Sequence, residues 1–214
     1  EAWAQAILLR LANGDRTRAA AIGHEIGYDF EERRFERDSI VIAGTAGEIV
    51  DTLVPHCPEF NRDALLDLLN DEAGVAPQVE AVPLATFLSA LKQRNLKIGV
   101  ATNDAEAPAR THLGRAGISE LFDFVAGYDS GFGGKPAPGQ LIGFCDQTGL
   151  LPSDCAMIGD STHDLHAGRA AGMITIGVLT GPAPHEELAP FADVVLADIG
   201  KIPDWLHSEN LVTH

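Results

Sequence analysis

A chain of 214 residues with 45% hydrophobic and 21% charged side chains falls in the ordinary globular range, which excludes wholesale disorder, a collagen-like repeat and a disulfide scaffold. Fifteen Lys and Arg against 31 Asp and Glu give a formal charge of -16, so a nucleic-acid backbone or an anionic membrane surface would be repelled over most of it. Three cysteines, Cys57, Cys145 and Cys155, are too few and too irregularly spaced for a disulfide framework or a zinc site, and they suit a reducing, cytoplasmic setting.

No window reaches the roughly 18 consecutive apolar residues that a membrane span requires. Residues 1–11 repeat apolar positions at helical spacing and lack a basic leader, which predicts an amphipathic helix and not a signal peptide. A chain that opens inside a helix, with no capping residue and no initiator Met, leads us to expect an upstream segment. Further helices are predicted over 17–26, 45–54 and 62–69, and no β-alternation interrupts them. Residues 1–75 are therefore expected to form an all-helical domain.

The composition turns extended and proline-containing over 76–83, and beyond it short apolar strands alternate with helices. Strands are predicted at 97–101, 124–126, 155–158, 173–178 and 193–196, and helices at 83–94, 105–116, 138–149 and 164–171. Such alternation implies right-handed crossovers and a parallel sheet, hence an α/β domain over 76–214. Ligands of open parallel sheets bind at the carboxyl ends of the strands. Those ends are polar here: Thr102-Asn103-Asp104 after the first strand and Gly159-Asp160 after the third, with the loop Gly131-Phe132-Gly133-Gly134-Lys135-Pro136 between them.

Asp160 stands at a strand tip and Asp164 one helical turn further on, a pair of carboxylates that suits Mg²⁺. The same spacing also reads as a helix cap, with Ser161 capping and Asp164 supporting it. Thr102 and Asn103 place a hydroxyl, an amide and backbone N–H groups where phosphate oxygens could be held, although both are common turn residues. Lys135 could aim its ammonium inward at a phosphate, or point into water as most loop lysines do. The glycines before it fit neither a Walker loop nor the dinucleotide fingerprint.

The order Thr-Asn at a strand end, then Lys-Pro, then Gly-Asp-x-x-x-Asp on an alternating β/α chain resembles the haloacid dehalogenase superfamily, in particular its phosphoglycolate phosphatase-like branch with a helical cap. The stretch 164–173 is similar as well, and the resemblance covers about 84–196. It implies a Rossmann-like parallel-sheet core, with the helical domain as a cap hinged near 76–83 that closes over the strand tips. It further implies that Thr102 and Asn103 bind the transferring phosphoryl group, that Lys135 stabilises its charge, and that Asp160 and Asp164 hold Mg²⁺. The activity implied is hydrolysis of a small phosphorylated metabolite through an aspartyl phosphate. The superfamily's first motif, Asp-x-Asp-x-Thr on the central strand, does not occur in these residues. That strand is expected upstream of Glu1, in a segment of roughly 15 to 25 residues, and without it the strands ending at Thr102 and Gly159 should flank a strand-sized gap. A metal-independent 2-haloacid dehalogenase, or an inactive binding module of the same fold, are the alternatives.

His163 and His166 are expected at partly exposed surface and not as ligands. Arg33, Arg34 and Arg37 read as a solvated turn or as a clamp for an anionic group, and Trp3 and Trp205 as packing residues.

Overall fold

The structure is a computed structural model describing residues 2–36 and 39–208. Helix α1 (Ala2–Leu11) is followed by α2 (Arg16–Glu25), which starts where the Asp15 carboxylate accepts hydrogen bonds from the amides of Thr17 and Arg18 at 2.9 and 3.1 Å. The all-helical expectation for this region is corrected at one place. Strands β1 (Tyr28–Asp29) and β2 (Arg34–Phe35) pair antiparallel, with Tyr28 opposite Phe35. The turn between them is built by Asp29, whose side chain accepts from the amides of Glu31 and Glu32, and the Tyr28 and Phe35 rings meet at 4.9 Å. A ladder of two residues is too short for alternation to show in the sequence. Arg33 and Arg34 are exposed, as a solvated turn requires, while Arg37 and the Trp3 side chain lie outside the described residues.

Short α3 (Ile40–Ala43) leads to α4 (Ala46–Leu53), opened by a capping box in which Thr45 and Glu48 bond reciprocally, and to α5 (Arg62–Val75), capped by Asn61. Helix α5 runs past its predicted end at 69 because the polar run Asn70-Asp71-Glu72 conceals the continuation, whereas Gly74 is again buried. Leu8, Leu11, Ile22, Val50, Leu53 and Leu65 form the centre of this helical layer. Residues 76–83 adopt neither helix nor strand.

The remainder alternates as α6 (Leu84–Gln93), β3 (Gly99–Ala101), α7 (Glu106–Arg115), β4 (Phe124–Ala126), α8 (Gly139–Thr148), β5 (Ala156–Gly159), α9 (Thr162–Ala171), β6 (Ile174–Val178), α10 (His185–Leu188), β7 (Val194–Leu196) and α11 (Ile202–Ser208). All five predicted strands are present, each shifted or trimmed by no more than two residues at an end. Short α3, α10 and α11 have too few turns for a period to be read. Helix α5 packs against α7, and the Arg115 guanidinium donates to the Gly74 carbonyl at 2.9 Å, joining the helical layer to the α/β layer. Among the described residues no helix is long and apolar enough to cross a membrane.

Strand pairing is parallel throughout this layer but in two pieces. β3 pairs with β4, and β5–β6–β7 form a second sheet. β3 and β5, whose tips carry the polar sequences, do not pair with each other. Both instead line one cavity of about 450 Å³, walled by Val100 and Ala101 on one side, Met157 and Ile158 on the other, and Leu141 and Phe144 from α8. The gap expected between the strands ending at Thr102 and Gly159 is thus present, and its lining is mostly apolar.

Candidate active site

The carboxyl ends of β3 and β5 and the loop before α8 converge on Lys135. Its Nζ donates to the Ala101 carbonyl at 2.7 Å and to Asp164 Oδ1 at 2.6 Å, with side-chain exposures of 12% and 7% for the ion pair. The lysine is therefore turned inward and not into water. Gly131 and Gly133, at φ +88° and +76°, let the loop double back toward β3, and the Lys135–Pro136 peptide is cis.

Thr102 and Asn103 are placed beside this lysine. The Thr102 hydroxyl accepts from the Asp104 amide at 3.0 Å. The Asn103 side chain is engaged by the loop: Oδ1 accepts from the Lys135 amide at 2.7 Å, and Nδ2 donates to the Lys135 carbonyl at 3.0 Å. In this arrangement the amide of Asn103 orients Lys135, a task the sequence did not announce.

Asp164 bears out the capping reading of its motif and adds an ion pair to it. Oδ2 accepts from the Ser161 amide and hydroxyl at 3.2 and 2.9 Å in a capping box, leaving Oδ1 for Lys135. Gly159 permits this, because a Cβ there would fall 2.3 Å from Asp164 Oδ2. Asp160 lies flush against Gly181, where a Cβ would come within 2.1 Å of its Oδ2. Burial pushes the Asp160 carboxyl above its ordinary value, the Asp164 charge adds to that, and Lys135 opposes it. No side-chain cation lies within ion-pair distance of Asp160 among the described residues, although Lys135 is near enough to oppose the rise.

The donor set tests the implied metal. Among the described residues no cluster of three or more His, Cys, Asp or Glu could by itself enclose an ion. Two carboxylates with no sulfur or imidazole beside them nevertheless fit Mg²⁺, which takes oxygen ligands, keeps several waters and commonly draws on one or two carboxylates plus substrate phosphate. His166 is exposed and rests its ring on Phe191 at 4.4 Å, as a surface residue would.

Some residues at the site were not foreseen. Thr45 and the start of α4 reach the Lys135 loop from the helical layer, close enough that a Cβ on Gly134 would meet Thr45 Cγ2 at 2.8 Å. Gly47 is enclosed by the Tyr128 ring and the Arg62 guanidinium, each 3.5 Å from where its Cβ would stand. Arg62 is held by Asp51 at 2.7 Å, and burial raises the Tyr128 phenol above its usual range. The capping box at Thr45 and Glu48 was readable as a helix start, but nothing local says that it lands on Gly134.

Comparison with known proteins identifies the family and the fold that carry this site. The sequence profile of the haloacid dehalogenase-like hydrolases matches residues 49–178. A phosphoglycolate phosphatase of Rhodospirillum rubrum is 32% identical over 120 residues, covering 56% of this chain and 50% of that protein. The chain spans about half the length of the curated relatives it matches first. Among solved structures, a predicted phosphoglycolate phosphatase from Haemophilus somnus superposes with a TM-score of 0.66 at 18% identity, covering 88% of each chain. A HAD family hydrolase from Deinococcus radiodurans, with bound phosphate and sodium, superposes with a TM-score of 0.61 at 23% identity, covering 92% of this chain and 90% of that one. At these identities the structural likeness concerns the fold.

Proposed function

Because the chain belongs to the haloacid dehalogenase-like hydrolase family, we propose that it serves in a Mg²⁺-assisted phosphatase acting on a small, phosphoglycolate-like phosphomonoester. The observation that carries this reading is the buried Lys135–Asp164 pair beside the strand tips, with the Asp160 carboxylate close to both charges. An anionic phosphate needs such a setting. Two unit charges at about 4 Å repel by roughly 4 kcal/mol even at an effective dielectric near 20, so a carboxylate nucleophile meets a barrier that positive charge must remove.

In this reading Lys135 offsets the charge that develops on the transferring group, and the Thr102 hydroxyl with the backbone amides that follow it receives phosphoryl oxygens. Asn103 keeps the lysine aimed, and Asp164 keeps its ammonium from turning to solvent. Asp160, with Asp164 as the second carboxylate, would hold Mg²⁺, which when bound supplies further charge neutralisation and orients the phosphate. Residues 1–75 act as the cap and 76–83 as its hinge, closing Thr45 over the site and excluding water.

The nucleophile belongs to the lane between β3 and β5. Two unpaired parallel edges facing one apolar cavity call for a strand, and a carboxylate at its carboxyl end would emerge between Thr102 and Asp160. That strand would come from polypeptide outside these 214 residues. Its carboxylate would attack phosphorus with departure of the alcohol, and water would then hydrolyse the aspartyl phosphate. The test uses the polypeptide that carries this strand. Phosphate release from 2-phosphoglycolate and p-nitrophenyl phosphate, abolished by EDTA and restored by Mg²⁺, is the expected result. Chloride release from 2-chloropropionate without phosphate release would make it a dehalogenase, and neither activity would leave a binding module.

A further inference from the structure

We infer that Gln140 is a positioning residue, whose side-chain amide fastens the Lys135 loop to the tip of β3 and so keeps Lys135 in register with Asp164. Its kinetic consequence rests on the phosphatase reading, whereas its structural consequence does not.

Gln140 lies in the first turn of α8 with no exposed surface. Its Nε2 donates to the Thr102 carbonyl at 3.0 Å and to the Gly133 carbonyl at 2.9 Å. Both acceptors are carbonyl oxygens, so the chemistry fixes the amide's orientation, since the flipped assignment would set oxygen against two oxygens. The other end of the amide, Oε1, is a buried polar atom with no partner among the described residues. An apolar side chain would avoid that penalty, and the neighbouring buried positions on α8, Leu141 and Cys145, are apolar. What offsets the penalty is the pair of donors, and both are directed at the site.

The bonds close a ring. Thr102 stands between Ala101, whose carbonyl receives Lys135 Nζ, and Asn103, whose side chain grips the Lys135 backbone. Gly133 is two residues before Lys135 in a loop where Gly131 and Gly133 carry positive φ and supply no side chains of their own. Gln140 thus ties the loop at the end that Asn103 does not reach, and its amide separates two carbonyl dipoles that would otherwise face each other unpaired. The position had no motif to mark it: a Gln two residues after Pro138 reads as an ordinary polar residue in a first helical turn.

The decisive variant is Gln140→Met, which keeps length and volume while removing both donors and the orphaned oxygen. In the polypeptide carrying the proposed strand, kcat for p-nitrophenyl phosphate should fall about tenfold with KM within about twofold, and the melting temperature should stay within a few degrees. Hydrogen exchange of the 131–135 amides should speed up about tenfold or more while those of α8 beyond Leu141 hold their rates. Unchanged kcat and loop exchange would overturn the inference. So would a fall in kcat accompanied by faster exchange throughout α8 and β5, which would show a general packing role. If the unsubstituted protein hydrolyses no phosphomonoester yet the variant loosens only the loop, the phosphatase reading fails and the positioning role stands.

Discussion

Lys135, which its sequence setting leaves open between an inward-aimed ammonium and a solvated loop cation, takes the inward position in the fold. A lysine in water can be truncated at little cost to folding, but this one is the buried partner of Asp164. Removing one member of such a pair leaves the other charge uncompensated, so Lys135→Ala should destabilise the fold by about 3 kcal/mol or more in urea melts as well as abolish turnover. Adding Asp164→Asn to that variant should recover most of the stability and none of the activity. A double variant as unstable as Lys135→Ala alone would show that the pair is not what the melt reports. Asp160 behaves oppositely, because burial disfavours its charge. Asp160→Asn should therefore leave neutral-pH stability equal or higher, while Mg²⁺ affinity by calorimetry and turnover each fall at least about tenfold. Unaltered Mg²⁺ binding would remove Asp160 from the metal site.

Between elements, Asp123 at the entrance to β4 is the principal polar tie. Its carboxylate accepts from Lys92 on α6 at 2.5 Å, from the Ile98 amide at 2.9 Å and from Lys97 at 3.1 Å, fixing the start of β3 against β4. Burial alone would raise this carboxyl, yet Lys92, the Ile98 amide and Lys97 outweigh it and hold the group at about 2 instead of its usual 3.8. A carboxyl lowered in the folded state stabilises it fully above the unfolded value, and that stabilisation disappears as pH falls from about 4 to 2. Asp123→Asn should lower stability at pH 7 by up to about 2 kcal/mol and flatten the loss of stability over that acid range, as read from denaturant melts at a series of pH values. An unaltered acid slope would assign it to other carboxylates. The strands this residue organises were legible as apolar runs, since parallel strands are buried on both faces. The β1–β2 ladder was not, because its pairing depends on the Asp29 turn and the Tyr28–Phe35 contact and not on any period.

Across the whole molecule, the lane between β3 and β5 is the feature with the widest consequences. With the proposed strand in place, the amides of β5 should exchange as slowly as those of β6, whereas in the 214-residue polypeptide alone they should exchange at least about a hundredfold faster. Equally slow exchange in both would mean that β3 and β5 close directly on each other. Local chemistry was enough to reveal the βα alternation, the capping box at Ser161 and the polar strand tips, because periodicity, caps and turns depend on residues within a few positions of one another. From these the sequence determined the α/β class, and the resemblance of their order to the haloacid dehalogenase superfamily proposed Thr102, Asn103, Lys135, Asp160 and Asp164 as one site. Only the tertiary structure decided that Lys135 turns inward to Asp164, that Asn103 and Gln140 hold its loop, and that Thr45 reaches Gly134 from the helical layer. Those contacts join residues separated by 29, 32, 7 and 89 positions, and no local pattern specifies them; they are set by how the packed layers bring distant backbone carbonyls and glycines within hydrogen-bonding or van der Waals reach.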